Sequence, residues 1–234
     1  MNIIVTGASR GIGYELVKLL SADSDNNIVA ISRNKEKLQQ LKSDCLSLHP
    51  KSTINTIPAD LSDLKSIFIS EILKHMETVD ILINNAGAII NKPFEKITQG
   101  ELHAVYSVNV FAVVKIIQEL LPYMGKTGRS HIVNISSMGA FQGSTKFSGL
   151  SAYSSSKAAL ANLTECLAEE FKDRNIAVNC LALGAAQTEM LNEAFPNYKA
   201  PLTAQQMAEF IHYFSLNGQN YFNGKILPVA LSTP

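Results

Sequence analysis

Short apolar runs alternate with longer amphipathic stretches along the chain, and that alternation leaves few folds open. The runs Asn2–Thr6, Ile28–Ser32, Thr53–Ile57, Ile81–Asn84, His131–Ile135, Ala177–Leu181 and Lys225–Val229 read as strands. Between them apolar residues recur at helical intervals, as in Leu38, Leu41, Cys45 and Leu48, or in Leu64, Ile67, Phe68, Ile72, Leu73 and Met76. Strands that are apolar throughout and joined by helices belong to a parallel sheet covered on both faces. The expected fold is therefore α/β, a doubly wound parallel sheet of about seven strands. No linker rich in Pro, Gly or Ser interrupts residues 1–234, which read as one domain.

Composition narrows the function. Lysine plus arginine and aspartate plus glutamate both number 20, so no global field draws in nucleic acid or an anionic membrane. An anionic ligand must be held by a local device. Cys45, Cys166 and Cys180 share no short spacing, and the five histidines are scattered, which argues against disulfides and metal and for a reducing compartment. The first apolar run stops at Gly7, too short for a leader or a span, so a cytoplasmic location is expected. Leu102–Leu121 and Ala158–Phe171 are more apolar than a surface helix needs. Each covers either a second face within its own domain or a partner subunit, and the reading extends to a homodimer or homotetramer.

"VTGASRGIGYEL" runs from the first strand into a helix. Gly7, Gly11 and Gly13 allow a tight turn with close backbone approach, and free N–H groups at the helix start suit a pyrophosphate. The spacing is G-x-x-x-G-x-G, not the commoner G-x-G-x-x-G. "GASRG" also matches G-x-S-x-G, which would make Ser9 a hydrolase nucleophile. That elbow normally follows several strands and precedes an acid and a histidine in recognisable contexts, and neither condition holds here. The match reads as accidental.

"SAYSSSK" places Tyr153 four residues before Lys157, on one face of a helix that "ALANLTECLAEEF" continues. An unperturbed phenol titrates near pH 10, and a nearby ammonium favours its ionised form. The pair is expected to handle protons.

With "TGASRGIG", "NNAG", "NISS" and "YSSSK" in this order, the chain resembles the short-chain dehydrogenase/reductase family, in its main single-domain branch, over residues 1 to about 190. The resemblance implies a Rossmann fold binding NAD(H) or NADP(H) at the C-terminal strand ends. It implies that Gly7, Ser9, Arg10, Gly11, Ile12 and Gly13 hold the cofactor, the glycines and the Ile12 backbone taking the pyrophosphate. Asp60, with Leu61 beside it, would meet the adenine; the alternative for Asp60 is a cap on a helix opened by Ser62 and Asp63. Asn85, Ala86 and Gly87 would lie under the adenosine ribose, and Thr188 would bond the carboxamide. Tyr153 would be the general acid/base, Lys157 would bond the nicotinamide ribose, and Ser137 rather than Ser136 would bond the substrate oxygen. Asn109 would support a water relay from the lysine, with a kink-satisfying group in the long helix as the alternative.

NAD enzymes of this design carry an acid at the end of the second strand, where this chain has Ser32 and Arg33. Arg10 and Arg33 converging on a 2′-phosphate predict NADP(H) over NAD(H). The resemblance thus implies a carbonyl/alcohol oxidoreductase acting on a small molecule. Ketoacyl, pteridine and sugar or polyol substrates all stay open. The alternative is a dinucleotide-binding sensor or scaffold without turnover. The family pattern is broken in three places. Leu183 stands where a proline is usual, the segment between Ser137 and Tyr153 is long, and "NGKILPVALSTP" lacks the usual acid–glycine–glycine end. A short, partly apolar substrate lid is expected near residues 189–203.

Overall fold

The computed structural model describes residues 1–63 and 67–231. β1 (Asn2–Thr6), α1 (Gly11–Leu20), β2 (Asn27–Ser32), α2 (Lys35–Leu48) and β3 (Thr53–Pro58) form the first half-unit. α3 (Ile67–Leu73), β4 (Ile81–Asn84), α4 (Gln99–Tyr106), α5 (Ala112–Leu120), β5 (Ser130–Ser137), α6 (Ser151–Glu170) and β6 (Ile176–Leu183) form the second. The remainder comprises β7 (Ala186–Gln187), α7 (Glu189–Ala194), β8 (Leu202–Thr203), α8 (Ala204–Asn217) and β9 (Ile226–Val229).

Seven parallel strands lie in the order β3-β2-β1-β4-β5-β6-β9. The order reverses between β1 and β4, which opens a crevice at their carboxyl ends. Successive side chains of a strand point to opposite faces. Ile3 and Val5 accordingly pack with α1, α2 and α8, while Ile4 packs on the other face with α5 and α6. All three are fully buried, as in a sheet covered on both sides.

The seven expected strands are the seven strands of the sheet. β5 and β6 run further than their apolar cores, and Leu183, in the place of the usual proline, pairs with Ser137 and Val229 inside the sheet. The two-residue pair β7 and β8 has too little sequence to be read in advance. Four expectations need correction or limits. Leu48 does not share the buried face of α2, since it is 58% exposed where the helix ends. Ser62 and Asp63 lie in a turn and a bend, and the described part of α3 is Ile67–Leu73. Leu64 and the side chains of Ile67 and Phe68, expected on one helix face, lie outside the described residues, as does the tail from Ser232. The helix expected over Leu102–Leu121 lies within a continuous helix Gln99–Tyr123 but carries a π-turn at Ser107–Phe111.

By length and composition Gln99–Tyr123 would suffice to cross a membrane. Here Val105, Val113, Ile116, Ile117 and Leu120 are buried within the fold, and Phe111 is exposed. The exposed side of α6 is polar, carrying Asn162, Glu165, Glu169 and Glu170.

Candidate active site

Gly7 leaves β1 with φ +72°, and its N–H donates to the Ile31 carbonyl at 2.8 Å, bending the chain over the end of β2. Two residues inside α1, Gly13 faces the same turn. A Cβ there would lie 2.4 Å from the Gly7 carbonyl oxygen and 2.5 Å from Asn85 Nδ2. Asn85 Nδ2 donates to Thr6 O at 2.9 Å, and the Asn85 and Ala86 amides both donate to Thr6 Oγ1 at 3.1 Å. The loop after β4 is thereby stitched to the glycine turn across the crevice. Arg10, the N-cap of α1, supplies no side-chain cap, so the helix start keeps N–H groups for a ligand.

Because both neighbours of Gly13 are anchored, Gly13→Ala is expected to destabilise the fold by about 1–3 kcal/mol. It should also weaken dinucleotide binding more than tenfold, roughly the loss of one charge-assisted hydrogen bond. Urea unfolding and a dinucleotide titration check the two effects, and normal values for both would contradict this packing.

A cleft of about 680 Å³ runs along the strand ends. Gly7, Ser9, Arg10, Gly11, Ile12, Gly13, Arg33, Asp60, Leu61, Asn85, Ala86, Gly87, Ser137, Tyr153, Lys157 and Thr188 all line it. Asn109 does not. Fully buried in the π-turn, it accepts from the Ala88 amide at 2.8 Å and donates to Ala88 O and Ser156 Oγ, each at 2.9 Å. It ties the loop after β4 to α6, and both amide protons are spent on that bracing.

At the β2–β3 end, Ser9 Oγ lies 2.7 Å from Ser32 Oγ, so its partner is another hydroxyl, which fits a turn better than a nucleophile. Asp60 Oδ1 accepts from the Ser62 amide and hydroxyl at 2.9 and 2.7 Å. Those bonds hold its carboxyl below the usual carboxylate range, with Arg33 adding a smaller effect. Arg10 differs from expectation. Its guanidinium grips Glu193 of α7 at 2.5 Å, and that hydrogen bond, opposed by burial, makes it hold its proton more firmly. Its geometry is set by the segment after β6, not by Arg33. Lys37, in the first turn of α2, was missed and also lines the cleft. Its charge in the first helical turn after the second strand was the available signal.

At the β5 end, Ser137 is the last strand residue and accepts from the Gly139 amide at 3.2 Å. Ser136 is buried and bonded to the Lys157 carbonyl at 2.8 Å, which favours Ser137 as the available hydroxyl. Tyr153 stands in the first turn of α6. Burial raises its phenol above the ordinary value, and the Ser137 hydroxyl works against that rise. Lys157 is buried, donates through Nζ to Ile135 O at 2.8 Å, and is itself pushed down to about 8 by burial. It shares a helix face with Tyr153 but is aimed at the strand. Thr188 caps α7, accepting from the Leu191 amide at 3.2 Å, and its methyl faces Gly11. Met138, Phe147, Leu150 and Met190 also line the cleft and carried no chemical signal in the sequence.

The short chain dehydrogenase family model matches residues 1–199. The fatty acyl-CoA reductase of Acinetobacter baylyi is 30% identical over 215 residues, covering 90% of this chain and 71% of the relative. The 3-oxoacyl-(acyl-carrier-protein) reductase of Chlamydia trachomatis is 27% identical over 238 residues, 97% of this chain and 94% of the relative. A solved short chain dehydrogenase from Shigella flexneri complexed with NADP superposes with a TM-score of 0.85 at 26% identity, over 97% of this chain and 95% of that one. With the seven-stranded parallel sheet and the crevice at its switch point, these matches establish that the chain belongs to the short-chain dehydrogenase/reductase family of oxidoreductases.

Proposed function

We propose that the protein interconverts a carbonyl and an alcohol with NADP(H), working as a reductase with Tyr153 as general acid/base. The observation that carries this reading is the meeting of Ser137, Tyr153 and Lys157 on the wall of the cleft whose floor is the glycine turn. The residues fit the dinucleotide: the glycine turn brings the uncapped start of α1 to the cleft, and no acid stands at the end of β2. When bound, the dinucleotide supplies the hydride.

Gly7, Gly11, Gly13 and the backbone of Ile12 hold the pyrophosphate, with Ser9 and Arg10 in the same turn. Asp60 and Leu61 meet the adenine, and Asn85, Ala86 and Gly87 lie under its ribose. Thr188 bonds the carboxamide, and Lys157 bonds the nicotinamide ribose. Ser137 holds the substrate oxygen, and Tyr153 gives that oxygen its proton, which water replaces, while the carbonyl carbon gains the hydride. Asn109 acts as a positioning residue through the Ala88 loop. Residues 189–203 form a short lid on a single domain, and the protein works as a homodimer or homotetramer.

The preference for NADP(H) rests on Arg33 and Lys37 in the cleft, with Arg10 available once it leaves Glu193. Titrations of NADPH and NADH, followed by oxidation of each with a panel of ketones and aldehydes, test it. Arg33→Ala is expected to weaken NADPH about tenfold and leave NADH unchanged. Glu193→Gln, which frees Arg10, is expected to tighten NADPH by up to about fivefold, the scale of an exposed ion pair. Tighter binding of NADH by the unmodified protein would overturn the preference.

A further inference from the structure

The two ends of the cleft differ in chemistry. Its charged lining residues Arg10, Arg33, Lys37, Asp60 and Glu189 gather around the glycine turn and the ends of β2 and β3. Beyond Ser137 and Tyr153 the walls are Met138, Phe147 and Leu150 from the segment before α6, and Met190, Phe195 and Tyr198 from the segment after β6. Among the described residues lining that end, Lys157 alone is charged; its Nζ donates to Ile135 O, and the proposed function commits it further to the nicotinamide ribose.

The polar side chains nearby are committed to holding the loops. Asn91 Nδ2 donates to Ala194 O at 2.9 Å, and Gln187 Oε1 accepts from the Ala200 amide at 2.8 Å. Lys146 Nζ donates to Phe141 O at 2.6 Å and to Ser144 Oγ at 2.8 Å. The Lys92 amide donates to Gly149 O at 2.9 Å, so three loops are already bound to one another around this end. The long segment before Tyr153 therefore supplies a preformed apolar wall. Phe147 and Tyr198 remain 36% and 47% exposed on it, a rim that a hydrocarbon would cover.

We infer that the substrate is a ketone, or its alcohol, whose body is an uncharged hydrocarbon, and that sugars, polyols and keto acids are excluded. This rests on the oxidoreductase reading above. Among the described lining residues a carboxylate entering this end finds only Lys157, which the proposed function commits to the nicotinamide ribose. The several hydroxyls of a sugar would shed water and find few partners beyond Ser137, Tyr153 and the Tyr198 phenol. A hydrocarbon loses only water-exposed surface.

The test is a homologous series of alkyl and aryl ketones set against keto acids and keto sugars of matched size. Two measurements run side by side: turnover by the wild type, and equilibrium binding to Tyr153→Phe. Binding is followed with the dinucleotide the protein takes, and also with the protein alone. Affinity and kcat/KM are expected to rise about fourfold for each added methylene, until the wall is filled. Phe195→Arg, a change on the half-buried cover, is expected to reverse the order of a matched ketone and keto acid. Sugars or keto acids that bind as tightly as the hydrocarbons, or no reversal in Phe195→Arg, would overturn the inference. The binding arm keeps the two proposals separable. Hydrocarbon ketones bound in the expected order without any turnover would sink the oxidoreductase reading and leave the apolar site standing.

Discussion

Tyr153→Phe is expected to lower kcat for carbonyl reduction by about two to four orders of magnitude, the usual share of a positioned general acid. The ring volume is kept and only the hydroxyl is lost, so the fold and the glycine turn are undisturbed. Dinucleotide affinity should stay within about threefold of wild type, a change smaller than one ordinary hydrogen bond. Burial raises the Tyr153 phenol, so it is protonated at neutral pH and suited to giving a proton. The phenol's own contribution should therefore be flat through neutrality and fall as it ionises at high pH, while loss of the Lys157 charge, pushed down to about 8 by burial, adds an earlier fall. Single-turnover rates and a dinucleotide titration separate the two effects. A variant that keeps more than about a tenth of the rate would remove Tyr153 from the proposed chemistry, since even the weakest general acid is worth more. Absence of turnover in both proteins, with dinucleotide bound normally, would favour the sensor or scaffold.

Acid sensitivity is the second large expected effect, and its seat is His131. This side chain is fully buried at the start of β5. Its Nδ1 lies 3.0 Å from Ser215 O and its Nε2 lies 3.1 Å from Asn179 Nδ2. A carbonyl on one nitrogen and an amide donor on the other select the neutral ring with its proton on Nδ1. A second proton would point at the Asn179 amide. Burial pushes the group down to about 4, against a smaller opposing effect from Ser215.

In the unfolded chain the same imidazole takes a proton below about pH 6.5. The unfolded state therefore binds more protons between those two values. Stability is full above pH 6.5 and is lost as the pH falls towards 4, by about 3 kcal/mol. Urea unfolding from pH 7.5 to 4 should show the wild type losing about that much more than His131→Gln. Equal losses would place the acid sensitivity elsewhere.

Much of the architecture was legible because it is written in short-range patterns. A strand buried on both faces must be apolar throughout, and Ile3, Ile4 and Val5 are. The glycine turn was legible for the same reason. Only a residue without a Cβ fits at Gly13, so the spacing itself records the constraint. The four-residue step from Tyr153 to Lys157 likewise records a shared helix face.

Tertiary structure decided what no local pattern encodes. Arg10 is engaged by Glu193, 183 residues away, and Lys157 donates to the Ile135 carbonyl across from α6. Asn109 is brought into a π-turn against Ala88, and Leu183 is carried into the sheet by its neighbours on both sides. Helix and strand periods emerge from backbone geometry over a few residues, so a sequence displays them directly. The partner of a buried or charged side chain depends on which distant segments the packed sheet brings within reach. That is why the motif residues of the cleft could be named from the sequence, while Lys37, the apolar wall and the division into a charged end and an apolar end required the fold.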